Sequence, residues 1–223
     1  MGEVGGIMAG PMVKPRVLVF DLDGTLIDSA PDLAQAVNAL LAEFGRPPLA
    51  ESAIRPMIGD GSRLLLARAL AASGIEGPPD AFERFMVHYL AFVADKTRVY
   101  PDVPETLAAL QARGHPLGVC TNKPFAPTER VLEAFGLARF FGAVIGGDSL
   151  PQRKPEPEPL LATIAQLGGG AAAMIGDSAN DMLCARAAKV PGILIPSDYG
   201  LPAEEADLKL TRFADLPAAL DRL

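Results

Sequence analysis

Apolar and polar positions follow two rhythms along this chain. Short, nearly unbroken apolar runs at 16–20, 116–120, 143–145, 172–175 and 192–195 predict strands covered on both faces. Between the later runs, apolar residues recur at helical spacing over 103–113, 126–135, 158–167 and from 179 through 189. Strands alternating with helices predict an α/β fold with a doubly wound parallel sheet.

Residues 29–97 break that alternation. Leu33, Val37, Leu40, Leu41 and Phe44 keep helical spacing until Gly45, with Ser29 and Asp32 as N-cap chemistry and Pro31 in the first turn. A short helical pattern at 50–55 closes at Pro56, and longer ones cover Ser62–Ala72 and 80–94. The last carries Phe82, Phe85, Met86, Tyr89 and Val93 on one face. No strand pattern intervenes, so 29–98 reads as an inserted helical cap domain and 15–28 with 99–223 as the core domain. The tail from Asp215 reads as one last surface helix. Residues 1–14 are rich in Gly and Met but lack the basic flank and apolar run of a signal peptide. They read as a disordered leader, with Met8 or Met12 as alternative starts.

Polar residues gather where the apolar runs end. Asp21 and Asp23 follow the first run and flank Leu22, ahead of Gly24 and Thr25; Thr121 follows the second; Asp148 follows the third; Asp177 and Asp181 follow the fourth. Lys154 stands on the loop after the third. An Asx-turn explains one Asp at a strand end but not the pair at 21 and 23. In open parallel sheets the ligand site lies outside the carboxyl ends of the strands, so these residues converge. Clustering Asp21, Asp177 and Asp181 away from water requires a compensating cation. The donors are hard oxygens without Cys or His, which selects Mg²⁺ over zinc or copper. Lys154 and the Thr121 hydroxyl suit phosphoryl oxygens, with backbone N–H groups after Asp21, at Gly24 and Thr25, assisting.

Composition narrows the classes. The 223 residues carry a net charge of −7, which argues against a nucleic-acid footprint. The two cysteines, Cys120 and Cys184, lie in apolar or helical patterns and read as reduced core thiols of a cytoplasmic protein. No run approaches the ~20 apolar residues of a membrane span.

The run Asp-Leu-Asp-Gly-Thr-Leu closely resembles the signature of the haloacid dehalogenase superfamily, and the later motifs appear in family order. The resemblance implies that Asp21 is a nucleophile forming an aspartyl-phosphate and Asp23 the general acid/base. It matches Thr121 and Lys154 to the second and third motifs, and Asp177 through Asp181 to the acidic fourth. It further implies a metal held by Asp21, the Asp23 backbone carbonyl and Asp177, with Asp181 as a further ligand or a support behind them. Ile-Gly-Asp-Gly at 58–61, Thr-Asn-Lys-Pro at 121–124 and Gly-Asp-Ser-Ala-Asn-Asp at 176–181 look most like bacterial phosphoglycolate phosphatases, and a Tyr-Gly at 199–200 is similar to their ending. Lys189 departs from the Gly expected there.

That resemblance implies a small phosphorylated metabolite as partner, no nucleic acid or membrane, and a monomer or homodimer. Its substrate expectation is 2-phosphoglycolate, whose carboxylate needs local positive charge. The turn around Gly61, together with Arg63, Arg68 and Lys123, is the expected source, and Asn122 is a further expected substrate contact. Alternatives are another small sugar or amino-sugar phosphate, pyrophosphate, or a phosphomutase reaction. A silent binding module would lack a nucleophile or ligand, and none is missing. A dehalogenase has no use for Asp23 or the carboxylate cluster.

Overall fold

The computed structural model describes residues 15–195, 197–199 and 206–222. The leader expected at 1–14 lies outside the described residues. The chain opens with β1 (Val17–Phe20) and β2 (Ile27–Asp28), then the helices α1 (Ala30–Glu43), α2 (Glu51–Ile54), α3 (Ser62–Ala72) and α4 (Ala81–Phe92). It continues with β3 (Arg98–Val99), α5 (Val103–Ala112), β4 (Leu117–Cys120), α6 (Phe125–Ala134), β5 (Ala143–Ile145) and α7 (Glu158–Gln166). It ends with β6 (Ala172–Gly176), α8 (Ala179–Ala187), β7 (Gly192–Leu194), β8 (Leu208–Lys209) and α9 (Leu216–Ala219).

The main sheet is parallel, in the order β5-β4-β1-β6-β7-β8. Its central strand shows why the expected apolar runs work. Leu18 and Phe20 join one buried cluster, while Val17 and Val19 join another on the opposite face. Each of these side chains is almost fully buried, contributing roughly 1.5–3 kcal/mol apiece. From β1 the chain builds outward through β4 and β5, then returns to β6 on the other side of β1. That reversal opens a crevice at the carboxyl ends of β1, β4 and β6.

Helices α1 to α4 form a separate apolar cluster, in which Leu40, Leu41, Ile54, Leu65 and Phe85 are buried and Phe85 stacks on Tyr89. The unit joins the sheet domain through β2 and β3, which pair antiparallel with Ile27 opposite Val99 and Asp28 opposite Arg98. Asp32 does not cap its own helix. Its buried carboxylate accepts from Lys96 N (2.8 Å), Thr97 N (3.0 Å) and Thr97 Oγ1 (2.6 Å), tying the outgoing linker to the returning one.

Three further expectations change. Strand β8, a sixth in the main sheet, is two residues long, too short to show a period. The end of the chain is not a surface helix: Leu216, Ala219 and Leu220 are buried in the main cluster beside α5, and only α9 is α-helical there. Val93 lies beyond the end of α4 and packs on the sheet domain's cluster rather than on the face shared by Phe85 and Tyr89. Among the described residues no helix is long and apolar enough to cross a membrane.

Candidate active site

Asp21 follows the last residue of β1, and its backbone N–H donates to Ile175 O of β6 at 2.9 Å, which fixes it at the crevice floor. Lys154 Nζ stands 2.9 Å from Asp21 Oδ1 and 2.6 Å from Asp181 Oδ1, with all three side chains buried. The Lys154 contact is not aligned as a hydrogen bond to Asp21, whose Oδ1 has no hydrogen-bond partner. Asp21, Asp177 and Asp181 each bring an oxygen within 4.8 Å of the others.

Electrostatics follow from burial. Removal from water pushes the Asp21 carboxyl up to about 6; Lys154 opposes the rise, and Asp181 adds to it. Burial, then repulsion from Asp181 and Asp21, holds Asp177 well above the usual carboxylate range. For Lys154 burial alone acts downward, yet Asp181 and Asp21 raise its ammonium above the ordinary value. Three carboxylates sharing one lysine leave the ionised cluster short of positive charge. An oxygen-ligated divalent cation fits that deficit, since each of the three carboxylates offers it an oxygen.

Asp177 is oriented by two hydroxyls, Thr25 Oγ1 donating to its Oδ1 at 3.1 Å and Ser197 Oγ to its Oδ2 at 2.6 Å. Gly24, at φ +87°, passes so close that a Cβ there would fall on the Asp177 carboxylate. Gly24 and Thr25 thus shape the seat of Asp177. Asp181 is committed differently. Its Oδ2 accepts from Ser178 Oγ (2.7 Å), Ser178 N (3.0 Å) and Asp177 N (3.2 Å), closing a capping box on α8. Its Oδ1 contacts Lys154, so Asp181 aims Lys154 as well as bringing an oxygen to the cluster.

Asp23 Oδ1 accepts from Lys123 Nζ at 2.7 Å and from Ser29 Oγ at 2.5 Å. Ser29, read from sequence as a cap, makes no side-chain cap bond on α1. Thr121 Oγ1 accepts from Lys123 N at 3.2 Å, leaving its O–H to donate into the crevice. Asn122 Nδ2 bridges Gly59 O and Lys154 O, each at 3.0 Å, and joins the helical unit to the Lys154 loop.

A cavity of about 20 Å³ separates the helical unit from the sheet domain, lined by Asp21, Asp23, Thr121 and Lys123 below and by Leu33, Ile58, Ser62 and Leu65 above. Gly61 and Asn122 also face it. Arg63 does not: it lies over the Phe82 ring at 3.7 Å, its side chain 66% exposed. The residues that turn inward at the start of α3 are Ser62 and Leu65, and Arg63 falls on the outer surface of the unit. Arg68 is held by Asp60 at 2.6 Å, and its guanidinium also donates to Met57 O at 3.3 Å. Of the three expected cations only Lys123 faces the cavity. Asp148, in the turn after β5, accepts from Phe125 N at the start of α6 at 2.7 Å.

A family model for haloacid dehalogenase-like hydrolases matches residues 15–189. The chain belongs to the haloacid dehalogenase-like hydrolase family. A phosphoglycolate phosphatase of Caulobacter vibrioides is 44% identical over 211 residues, covering 91% of this chain and 89% of the relative. One from Rhodospirillum rubrum is 45% identical, covering 83% and 81%. A crystal structure described as a predicted phosphoglycolate phosphatase, from Haemophilus somnus, superposes with a TM-score of 0.85 at 32% identity, covering 93% of this chain and 99% of that one. Sequence reasoning missed Ser29, Ser197 and Tyr199 as parts of the site: Ser29 also suits a helix cap but turns to Asp23 instead, Ser197 lies in a turn after β7, and Tyr199 meets Ser29 N 170 positions away.

Proposed function

We propose that this hydrolase is a Mg²⁺-dependent phosphomonoesterase acting on 2-phosphoglycolate, with residues 29–98 as a cap over the site. The observation that carries the reading is Asp21: a buried carboxylate at the end of β1, 2.9 Å from the Lys154 ammonium and clustered with Asp177 beside the Thr121 hydroxyl. Asp21 attacks phosphorus, the ester P–O bond breaks, and Asp23 in its protonated form gives its proton to the leaving glycolate oxygen. Water then attacks the aspartyl-phosphate, Asp23 takes its proton, and Asp21 is regenerated with release of phosphate. Lys154 and Thr121 hold phosphoryl oxygens as negative charge builds on them. Asp21, Asp177 and the Asp23 carbonyl would hold Mg²⁺, which supplies charge neutralisation between the attacking carboxylate and the phosphoryl group.

The substrate's carboxylate falls to Lys123, assisted by the amide groups at the start of α3 after Gly61. The apolar wall of Leu33, Ile58 and Leu65 offers few partners to sugar hydroxyls, which favours a small acid over a sugar phosphate. Turnover of a panel of phosphate esters, with and without EDTA, tests the reading. The expected result is a highest kcat/KM for 2-phosphoglycolate and loss of activity in EDTA. A sugar phosphate ranked first, or activity indifferent to EDTA, refutes the corresponding half.

A further inference from the structure

Tyr199 belongs to the sheet domain by sequence, since it follows β7, yet its ring is packed in the apolar cluster of the helical unit and is 1% exposed. Its hydroxyl accepts from Ser29 N at 2.8 Å and Ala30 N at 3.2 Å, and donates to Asp28 Oδ1 at 3.1 Å. Those amides open α1 and have no acceptor within their own helix. The second Asp28 oxygen holds Arg55 at 2.8 Å, and the Arg55 guanidinium lies 5.5 Å from the Tyr199 ring centroid. One phenol therefore fixes the point at which the chain leaves the sheet for the helical unit.

Two residues upstream, Ser197 Oγ donates to Asp177 Oδ2 at 2.6 Å and accepts from Tyr199 N at 3.2 Å. The 197–199 turn has one end on a carboxylate of the metal cluster and the other on the outgoing linker. We infer that Tyr199 is a positioning residue which couples metal binding at Asp177 to the position of the helical unit, through the Ser197 hydroxyl. Metal held at Asp177 fixes Ser197 and the turn, and the turn fixes the start of α1. By reciprocity, a linker released from Tyr199 leaves Asp177 less well oriented and the metal less tightly bound. This inference rests on the metal reading above.

The test is Mg²⁺ affinity measured calorimetrically on the full chain without substrate, for the wild type, Tyr199→Phe, Ser197→Ala and Ser197→Thr. Tyr199→Phe keeps the ring and removes only the hydroxyl. The expected result is an affinity lowered at least about 5-fold by Tyr199→Phe and roughly 10-fold by Ser197→Ala. Ser197→Thr, which keeps the hydroxyl, should restore affinity, and the double variant Ser197→Ala/Tyr199→Phe should lose less than the product of the single losses. Ser197 is small and only partly buried, so its variants report even where Tyr199→Phe folds poorly. Wild-type affinity in a folded Tyr199→Phe, or multiplicative losses in the double variant, overturns the coupling alone. A wild type that takes up no Mg²⁺ overturns the metal reading and the coupling with it.

Discussion

Asp181 aims Lys154 at Asp21: its Oδ1 lies 2.6 Å from Lys154 Nζ, which in turn stands 2.9 Å from Asp21 Oδ1. The other Asp181 oxygen is locked by Ser178 at the start of α8, so the lysine inherits the rigidity of a capped helix. Gly176 makes this approach possible, because a Cβ there would overlap the Asp181 side chain.

Removing that support should be costly in two ways. Asp181→Asn keeps a capping acceptor but leaves Lys154 short of one buried partner. Breaking a buried pair costs on the order of 3 kcal/mol, so urea denaturation should show a loss of that size. The kcat should fall at least about 10-fold with a smaller change in KM, since Lys154 serves the developing charge more than the bound ester. Unchanged stability and kcat would contradict the assignment.

The leaving-group carboxylate should depend on Lys123 and not on the cap arginines. Lys123→Met should lower kcat/KM for 2-phosphoglycolate at least about 10-fold more than for p-nitrophenyl phosphate, because a charge-assisted contact worth roughly 1.5–3 kcal/mol is lost only for the former. Some loss with both esters is expected, since Lys123 also bonds Asp23. Arg63→Ala should leave both activities within about 2-fold, in keeping with its place over Phe82 on the outer surface. The reverse pattern would move the carboxylate site to the start of α3's outer face.

The raised carboxyl groups set a pH dependence for the metal-free protein. Asp21 is raised from 3.8 to about 6, so between those values the folded chain holds a proton that the unfolded chain has lost. The stability this provides is complete below the unfolded value and disappears as pH rises through about 6. Asp177, also raised, adds in the same direction. Mg²⁺ must displace those protons, so its affinity, and the stability it adds, should rise with pH through about 6. Urea midpoints with EDTA and with Mg²⁺ across that range would measure the divergence. Midpoints that stay parallel would contradict a carboxylate metal site at Asp21.

The helical unit should open for substrate. A cavity of about 20 Å³ accommodates about one water and not a phosphate ester. The paired strands β2 and β3 and the Asp32–Thr97 tie keep the two linkers together, which suits rotation of the unit as one body about the crossing. Small-angle scattering should show a more extended ligand-free protein that contracts on adding Mg²⁺ and beryllium fluoride. Superimposable profiles would contradict the motion.

The polar strand ends of the candidate site were legible because acidic and hydroxyl residues are out of place where a buried apolar run stops. Asp21, Thr121 and Asp177 needed no knowledge of packing to be singled out, and strand alternation alone brings them to one edge of a sheet. Arg63 shows what that reasoning lacks. A cation beside a Gly-rich turn suits an anion site, but the rotation of α3 about its axis is set by Leu65, Leu66 and Leu70 finding their core. Tyr199 was hidden for another reason. The Tyr199 hydroxyl meets Ser29 N 170 residues away in sequence, and no local pattern marks a partner at that distance. The two-residue strands β2, β3 and β8 are likewise made by their neighbours rather than by their own composition.

The central claim is that phosphorus passes through a covalent bond to Asp21. Wild-type protein turning over 2-phosphoglycolate with Mg²⁺ should be quenched in acid, reduced with borohydride and digested, and the peptide carrying Asp21 analysed by mass spectrometry. Reduction of an acyl phosphate converts that aspartate to homoserine, so the mass change should fall on Asp21, appear only with substrate, and vanish in Asp21→Asn along with turnover. A turning-over enzyme with no modification at Asp21, or an Asp21→Asn variant that retains activity, would contradict the account.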